Sequence, residues 1–330
     1  MNRFLPLLFL TLCFSCNDDY SGSPYDDILG RAPFASVTDS IKGDPDNDEL
    51  YFRRAVLLNT NNLPEPALAD FRKAWELKKA ESYALGVGTL LQDRKPDSAV
   101  IFLKDAIRQI PNSLMLRLSL ARAHDLAGEL DEAVRICDEI LQAEPLQVDV
   151  LKFKADLLQR KNKTAEAIAT LEKAYQAAPF DVELNYELAL QYAETKNPKV
   201  LRLCDSLIRM DTDSMNLHAE PVYFKGIYYS NIKDPQAAIK MFDEAILRNY
   251  YYLNAYIEKG RVLLDLKQIE EALRTFNLAL TLSPKFADAY YWIGRCQEAL
   301  GKKEEAKLNY QRAFSLDPEF KIAKEAADSL

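Results

Sequence analysis

Proline recurs along this chain at a fixed step: Pro111, Pro145 and Pro179, then Pro284 and Pro318, each 34 residues from the one before it in its run. Alanine keeps the same step at Ala99, Ala133 and Ala167, and again at Ala238, Ala272 and Ala306. Small residues do so at Ala121, Ala155 and Ala189, then at Gly226, Gly260 and Gly294. Three residue types locked to one period over most of the chain constrain the fold severely. Such a chain is an array of one small unit, each copy stacking on the next to bury a continuous core.

Residues 287–320 show the unit. Tyr290, Ile293 and Gly294 lie three and four residues apart and share one face of a first helix. Gly301-Lys302-Lys303 breaks that pattern with a turn. A second apolar stripe runs through Ala306, Tyr310 and Ala313 until Pro318 ends it, because proline cannot continue a helix. Gly294 and Ala306 sit where the two helices cross, and a larger side chain there forces them apart. These residues resemble the tetratricopeptide repeat pattern W-x2-L-G-x2-Y…A-x3-F…P, with Tyr290 in the Trp place and Gln297 in the final Tyr place. The resemblance implies an all-α fold, an α-solenoid wound as a right-handed superhelix of helical hairpins.

Carried along the chain, the register predicts eight units starting at Asp48, Ala80, Leu114, Val148, Val182, Ala219, Leu253 and Ala287, together spanning 48–320. The first ends on Lys79 where proline is expected and is two residues short. The fifth, 182–218, is the least regular. Val200 and Leu207 replace its alanines, Thr212 replaces its proline, its turn at Lys196-Asn197-Pro198 is one residue short, and 213–218 adds four. Residues 33–47, with Phe34, Val37 and Ile41 before Pro45, read as half a repeat, and 321–330 as a capping helix. The array is expected to form one elongated domain.

The chain opens with Arg3 and an apolar run from Phe4 to Phe14, too short to span a bilayer as a helix, followed by Ser15-Cys16. That is a secretion signal and resembles a bacterial lipoprotein signal, which implies cleavage after residue 15 and lipidation of Cys16. Asn17-Asp18-Asp19 resembles the acidic tag of surface-exposed lipoproteins and is equally an ordinary acidic linker. Residues 16–32 then form a flexible tether. The expected location is the cell envelope, as an outer-membrane lipoprotein on its periplasmic or its outer face. Losing residues 1–15 removes Arg3 and no acid, so the net charge of −8 becomes −9. A chain of that charge without a basic block carries no electrostatic footprint for nucleic acid. Cys137 and Cys204 fall at the second-helix position held elsewhere by Phe242, Phe276 and Tyr310, and read as small core fillers.

Signatures of catalysis are missing from the sequence, so neither catalytic residues, nor a metal, nor a cofactor is expected. His124 falls at an interhelix core position, and His218 lies in the extra segment. Gly86-Val87-Gly88 sits inside a first helix and follows no strand, unlike a phosphate loop. Glu270-Glu271 and Glu304-Glu305 recur at helix starts, where they favour the positive end of the helix dipole. In the resembled family the first helices line a concave groove. Its register places Tyr186, Tyr223, Ile227, Ile257, Arg261, Tyr291 and Arg295 there, with Asp288 and Glu298 on the same face. Tyr and Arg are the types that most often anchor interfaces. Lys152 is followed by Asp156 where a carboxylate clamp requires Asn, so that ligand is not expected. Tyr250-Tyr251-Tyr252 joins units six and seven and is a second candidate surface. The resulting expectation is a non-enzymatic adaptor that holds an envelope protein or peptide. The alternative is a surface glycan- or nutrient-binding lipoprotein, disfavoured because the repeats carry no large insertion.

Overall fold

The computed structural model describes residues 25–210 and 219–330. Cys16, the signal, the start of the tether, His218 and the segment 213–218 lie outside the described residues. All nineteen described helices are α, and no strand occurs among the described residues. Two leading helices, α1 (Asp26–Leu29) and α2 (Ala35–Gly43), precede eight hairpins. These are α3 (Asp48–Thr60) with α4 (Pro64–Leu77), α5 (Glu81–Gln92) with α6 (Pro96–Gln109), α7 (Leu114–Leu126) with α8 (Leu130–Ala143), and α9 (Val148–Arg160) with α10 (Thr164–Ala177). The series continues with α11 (Val182–Glu194) and α12 (Lys199–Met210), α13 (Ala219–Asn231) and α14 (Pro235–Arg248), α15 (Leu253–Asp265) and α16 (Ile269–Leu282), and α17 (Ala287–Ala299) and α18 (Lys303–Leu316). A last helix, α19, covers Lys321–Asp328. Helix α1 lies inside the stretch expected to be tether. Its Leu29 is buried, and Arg31 makes an exposed pair with Asp27 one turn away.

The contacts divide the chain into two compact units, residues 1–136 and 137–330. In the first, α2 packs on α3, and α3 on α4. Helix α5 packs on α4, α6 and α7. Ala55, Phe71, Ala74, Tyr83, Val87 and Leu103 are buried in this stack. In the second unit α9 to α18 pack in sequence, and α19 lies on α18.

The local chemistry repeats with the hairpins. Seven of the eight hairpin turns place one residue of left-handed backbone at the fifteenth position of the unit. Gly128 and Gly301 supply it without a Cβ penalty, while Asn62, Asn162, Lys196, Lys233 and Lys267 adopt it with a side chain. Helices α4, α6 and α14 begin with proline, tolerated there because the first-turn N–H has no helical partner. The motif's Trp place also has a bonding role. Tyr51, Tyr256 and Tyr290 each donate their hydroxyl at 3.1 Å to the carbonyl six residues earlier, and the Asn185 amide does the same at 2.9 Å. Each bond ties a first helix to the loop leading into it.

The crossing of the two helices in a hairpin is where size is fixed. A Cβ on Gly226 lands 2.5 Å from the Phe242 ring, one on Gly260 2.3 Å from Phe276, and one on Gly294 2.6 Å from Tyr310. In two hairpins where the first helix carries alanine instead, the second helix has a residue smaller than a ring: Ala155 with Leu171 and Ala189 with Cys204 share one buried cluster. Ala155 with Leu171 thus keeps roughly the volume of glycine with a ring, as close packing demands. Cys137, Cys204 and Cys296 are buried and in no disulfide among the described residues. Burial pushes Cys204 up to about 12 and Cys296 up to about 11, so both are protonated, unreactive core residues.

Candidate protein-interaction face

The face to consider is that of first helices α11, α13, α15 and α17, all within the second unit. The seven residues placed there by register gather into two groups. In one, Tyr186 and Tyr223 pack on Phe224 from different helices, with centroids 6.2 and 6.0 Å away. Tyr223 also meets Phe242 at 5.8 Å and stands edge-on to Tyr252 at 5.2 Å. Ile227 packs beside Tyr223. All three register residues stay half-buried, so part of each faces solvent. Burial first, and the nearby Glu258 carboxylate second, push the Tyr223 phenol up. It therefore stays a neutral donor at any physiological pH.

The second group centres on Trp292, a residue the repeat pattern does not single out. Trp292 stacks on Phe276 at 6.3 Å with planes 19° apart, and the Arg261 guanidinium lies over its ring at 5.1 Å. Glu258 accepts from Arg261 at 2.6 Å. Ile257 and Tyr291, expected as groove contacts, are only 6% and 8% exposed. Ile257 is packed with Tyr256, Phe276 and Ile293, and Tyr291 against Tyr310 and Phe320. Their volume is taken up by the hairpins themselves, which leaves the exposed Arg261 and Arg295 as the reachable members. Arg295 donates to the Tyr291 hydroxyl at 3.4 Å, and Glu298 lies 3.8 Å from it.

Acids complete the face. Burial raises Glu187 and Asp288 above the ordinary carboxylate range. Lys152, at the place where a carboxylate clamp would reach its ligand, is held by Glu183 at 2.5 Å and Asp181 at 3.5 Å. The bond to Glu183 is the main reason its pKa is raised. Below the face runs a ladder outside the register reading. Lys154 meets Asp138 at 2.5 Å and Lys259 meets Asp243 at 2.7 Å, and Lys225 pairs with Asp205, each lysine reaching back to the preceding second helix. Its signal was present in the sequence: sixteen residues separate Asp243 from Lys259, and twenty separate Asp205 from Lys225 across the irregular unit.

Elsewhere, His124 is 2% exposed and its Nδ1 bonds Glu129, in keeping with a core histidine. Tyr252 turns inward onto Tyr223, while Tyr250 and Tyr251 remain exposed. Among the described residues no cluster of His, Cys, Asp and Glu is placed to hold a metal ion, and no helix is long and apolar enough to cross a membrane.

Family models described as "Tetratricopeptide repeat" match residues 90–157, 154–199 and 287–320, and one described as "TPR repeat" matches 260–301. Together they cover more than half of the chain. Human tetratricopeptide repeat protein 21A is 26% identical over 155 residues, 47% of this chain and 12% of that protein. Human interferon-induced protein with tetratricopeptide repeats 2 is 28% identical over 193 residues, 56% of this chain and 38% of that protein. The chain therefore matches well under half the length of either relative. A crystal structure of a tetratricopeptide repeat protein from Parabacteroides merdae superposes with a TM-score of 0.60 at 19% identity, over 74% of this chain and 96% of that one. That likeness concerns the fold.

Proposed function

Since this chain belongs to the tetratricopeptide repeat family, whose repeats are scaffolds for protein–protein contact, we propose that it is a non-enzymatic adaptor of the cell envelope. It is tethered through a lipidated Cys16 and holds a partner polypeptide on the first helices of its second unit. The observation that carries this reading is the exposed Arg261 seated over Trp292, beside the half-buried Tyr186–Tyr223 pair. A guanidinium and aromatic edges on rigid helices give a partner both apolar area and directional hydrogen bonds at little entropic cost. The lipid-anchor part rests on the Ser15-Cys16 junction and the short apolar run before it.

Crosslinking in intact cells tests the adaptor, with the wild-type protein and an Arg261→Glu/Arg295→Glu variant as baits. Both arginines are exposed, so the variant is expected to fold. A protein captured by the wild type and lost with the variant supports the reading. The same protein in both lanes moves the site off this face. No specific protein in either lane shifts the weight to a glycan ligand. Labelling with a fatty-acid analogue tests the anchor: label retained in Cys16→Ser removes it.

A further inference from the structure

The first unit holds a second surface, on its second helices. Helix α5 packs against both α4 and α6, and the space left between α4 and α6 contains two cavities. One, of about 450 Å³, is floored by Leu68, Leu90 and Leu91. The other, of about 430 Å³, is walled by Trp75, Phe102 and Ile101. Trp75 and Phe102 meet edge-on at 6.0 Å, and Ile101 is 72% exposed, among the most exposed large apolar residues described. The cavities are contiguous because both are lined by Arg72 and Ser98.

Charge singles out what the seam lacks. Arg72 is exposed, and among the described residues it makes no ion pair and the Ser98 hydroxyl has no hydrogen-bond partner. The acids nearby are mostly spent: Glu65 is bonded by Arg94, and Asp105 by Arg108 and Gln109. Glu76, one turn beyond Arg72, lines one end and Lys95 the other, and neither has an ion-pair partner among the described residues. A guanidinium beside a hydroxyl is a ready donor to a carboxylate, which the guanidinium can hold with two parallel hydrogen bonds. The apolar cavities lie on either side of it. From Pro64 to Glu76 the groove follows about twelve helical rises, roughly 18 Å, a length that an extended peptide covers in about six residues.

We propose that this groove binds a short segment of another protein that carries a carboxylate between two bulky apolar side chains. The carboxylate sits on Arg72 and Ser98. One apolar side chain enters the Leu68–Leu90 cavity, and the other packs on Trp75, Phe102 and Ile101. The site lies wholly in residues 64–105 and does not depend on the face around Trp292, so either can fail without the other.

A random peptide library of about twelve residues displayed on phage, selected on the whole protein, tests this. Enriched peptides are then synthesised and titrated by fluorescence anisotropy. The expected consensus is an acidic residue flanked by bulky apolar ones. Affinity should fall at least about tenfold in Arg72→Glu and in Ile101→Lys, and stay unchanged in Arg261→Glu. Both groove positions are exposed, and matched melting curves establish that the variants fold. Three results overturn the proposal: no enrichment over the bare support, equal binding to Arg72→Glu, or self-association of the wild type that Arg72→Glu abolishes. The last assigns the groove to a second copy of this chain.

Discussion

The first hairpin and the last three are held at their crossings by different physics. In α3–α4 a buried polar pair is added beside the apolar contact of Ala55, Phe71 and Ala74. Arg54 donates from Nε and Nη2 to the Asp70 carboxylate at 2.6 and 2.7 Å, and from Nη1 to Thr38 of α2 at 3.1 Å. The arginine and aspartate are only 8% and 6% exposed. Burial raises Asp70 above its ordinary value even with Arg54 pulling the other way. In α13–α14, α15–α16 and α17–α18 the contact is steric, an aromatic ring filling the place of a missing Cβ. A ring against glycine fixes distance but tolerates rotation about the contact. A bidentate pair fixes direction as well and costs desolvation. The polar solution stands where a short leading helix, with little apolar surface of its own, must be docked.

That contrast can be broken most forcefully at the polar lock. Removing one partner, Asp70→Ala, leaves Arg54 buried and unpaired and should cost about 3–5 kcal/mol. The double replacement Arg54→Met/Asp70→Leu should recover most of that in urea unfolding. If the single variant unfolds with the wild type, the lock carries no stability. At the steric crossings Gly260→Leu should cost about 1–3 kcal/mol by overpacking against Phe276, and an unaltered melting temperature would refute the register. Adding Phe276→Leu should restore part of the loss, because Ala155 and Leu171 already pack that way.

Smaller effects sharpen the picture. Lys259→Met breaks one rung of the lysine–aspartate ladder, with Lys259 at 19% and Asp243 at 52% side-chain exposure. The cost should be about 0.5–1 kcal/mol and should shrink with added salt. Least of all, Glu172 is held below its ordinary value of 4.5, first by Lys199 and then by the Tyr192 hydroxyl. A depressed carboxyl contributes stability that is present above the unfolded value and is lost as pH falls through the folded one. The melting temperatures of wild type and Glu172→Gln should therefore differ above pH 4.5 and converge below it. A constant gap at all pH values rules out that linkage.

The helices and their hairpins were legible because the residues that make them repeat. Proline at the joint, glycine or alanine at the crossing and a polar turn recur with one step, and tetratricopeptide hairpins followed from that step. What does not repeat was hidden. Arg54 shares its place in the unit with the ladder lysines Lys154, Lys225 and Lys259, but no other unit carries an acid at the place of Asp70, so periodicity gave no reason to pair the two. The lysine–aspartate ladder does repeat, but the extra residues of the irregular unit break its spacing. On the candidate face, the register found the right helices without showing how much of each side chain survives packing. Tyr291 is covered by Tyr310 and by Phe320 at the start of the closing helix, contacts made only when the hairpins assemble. Trp292 was passed over because its position is not one the pattern assigns to the groove.

The turns carry a consequence for engineering. Lys196, Lys233 and Lys267 hold left-handed backbone at φ 60°, 66° and 61°, where two other hairpins use glycine. A side chain in that conformation costs on the order of 1 kcal/mol, partly offset by the greater freedom glycine gives the unfolded chain. Three lysine-to-glycine exchanges thus offer a modest reserve of thermostability, drawn from solvent-facing loops and leaving both candidate binding surfaces untouched. The array is not tuned to its most heat-resistant form, and it can be hardened without being redesigned.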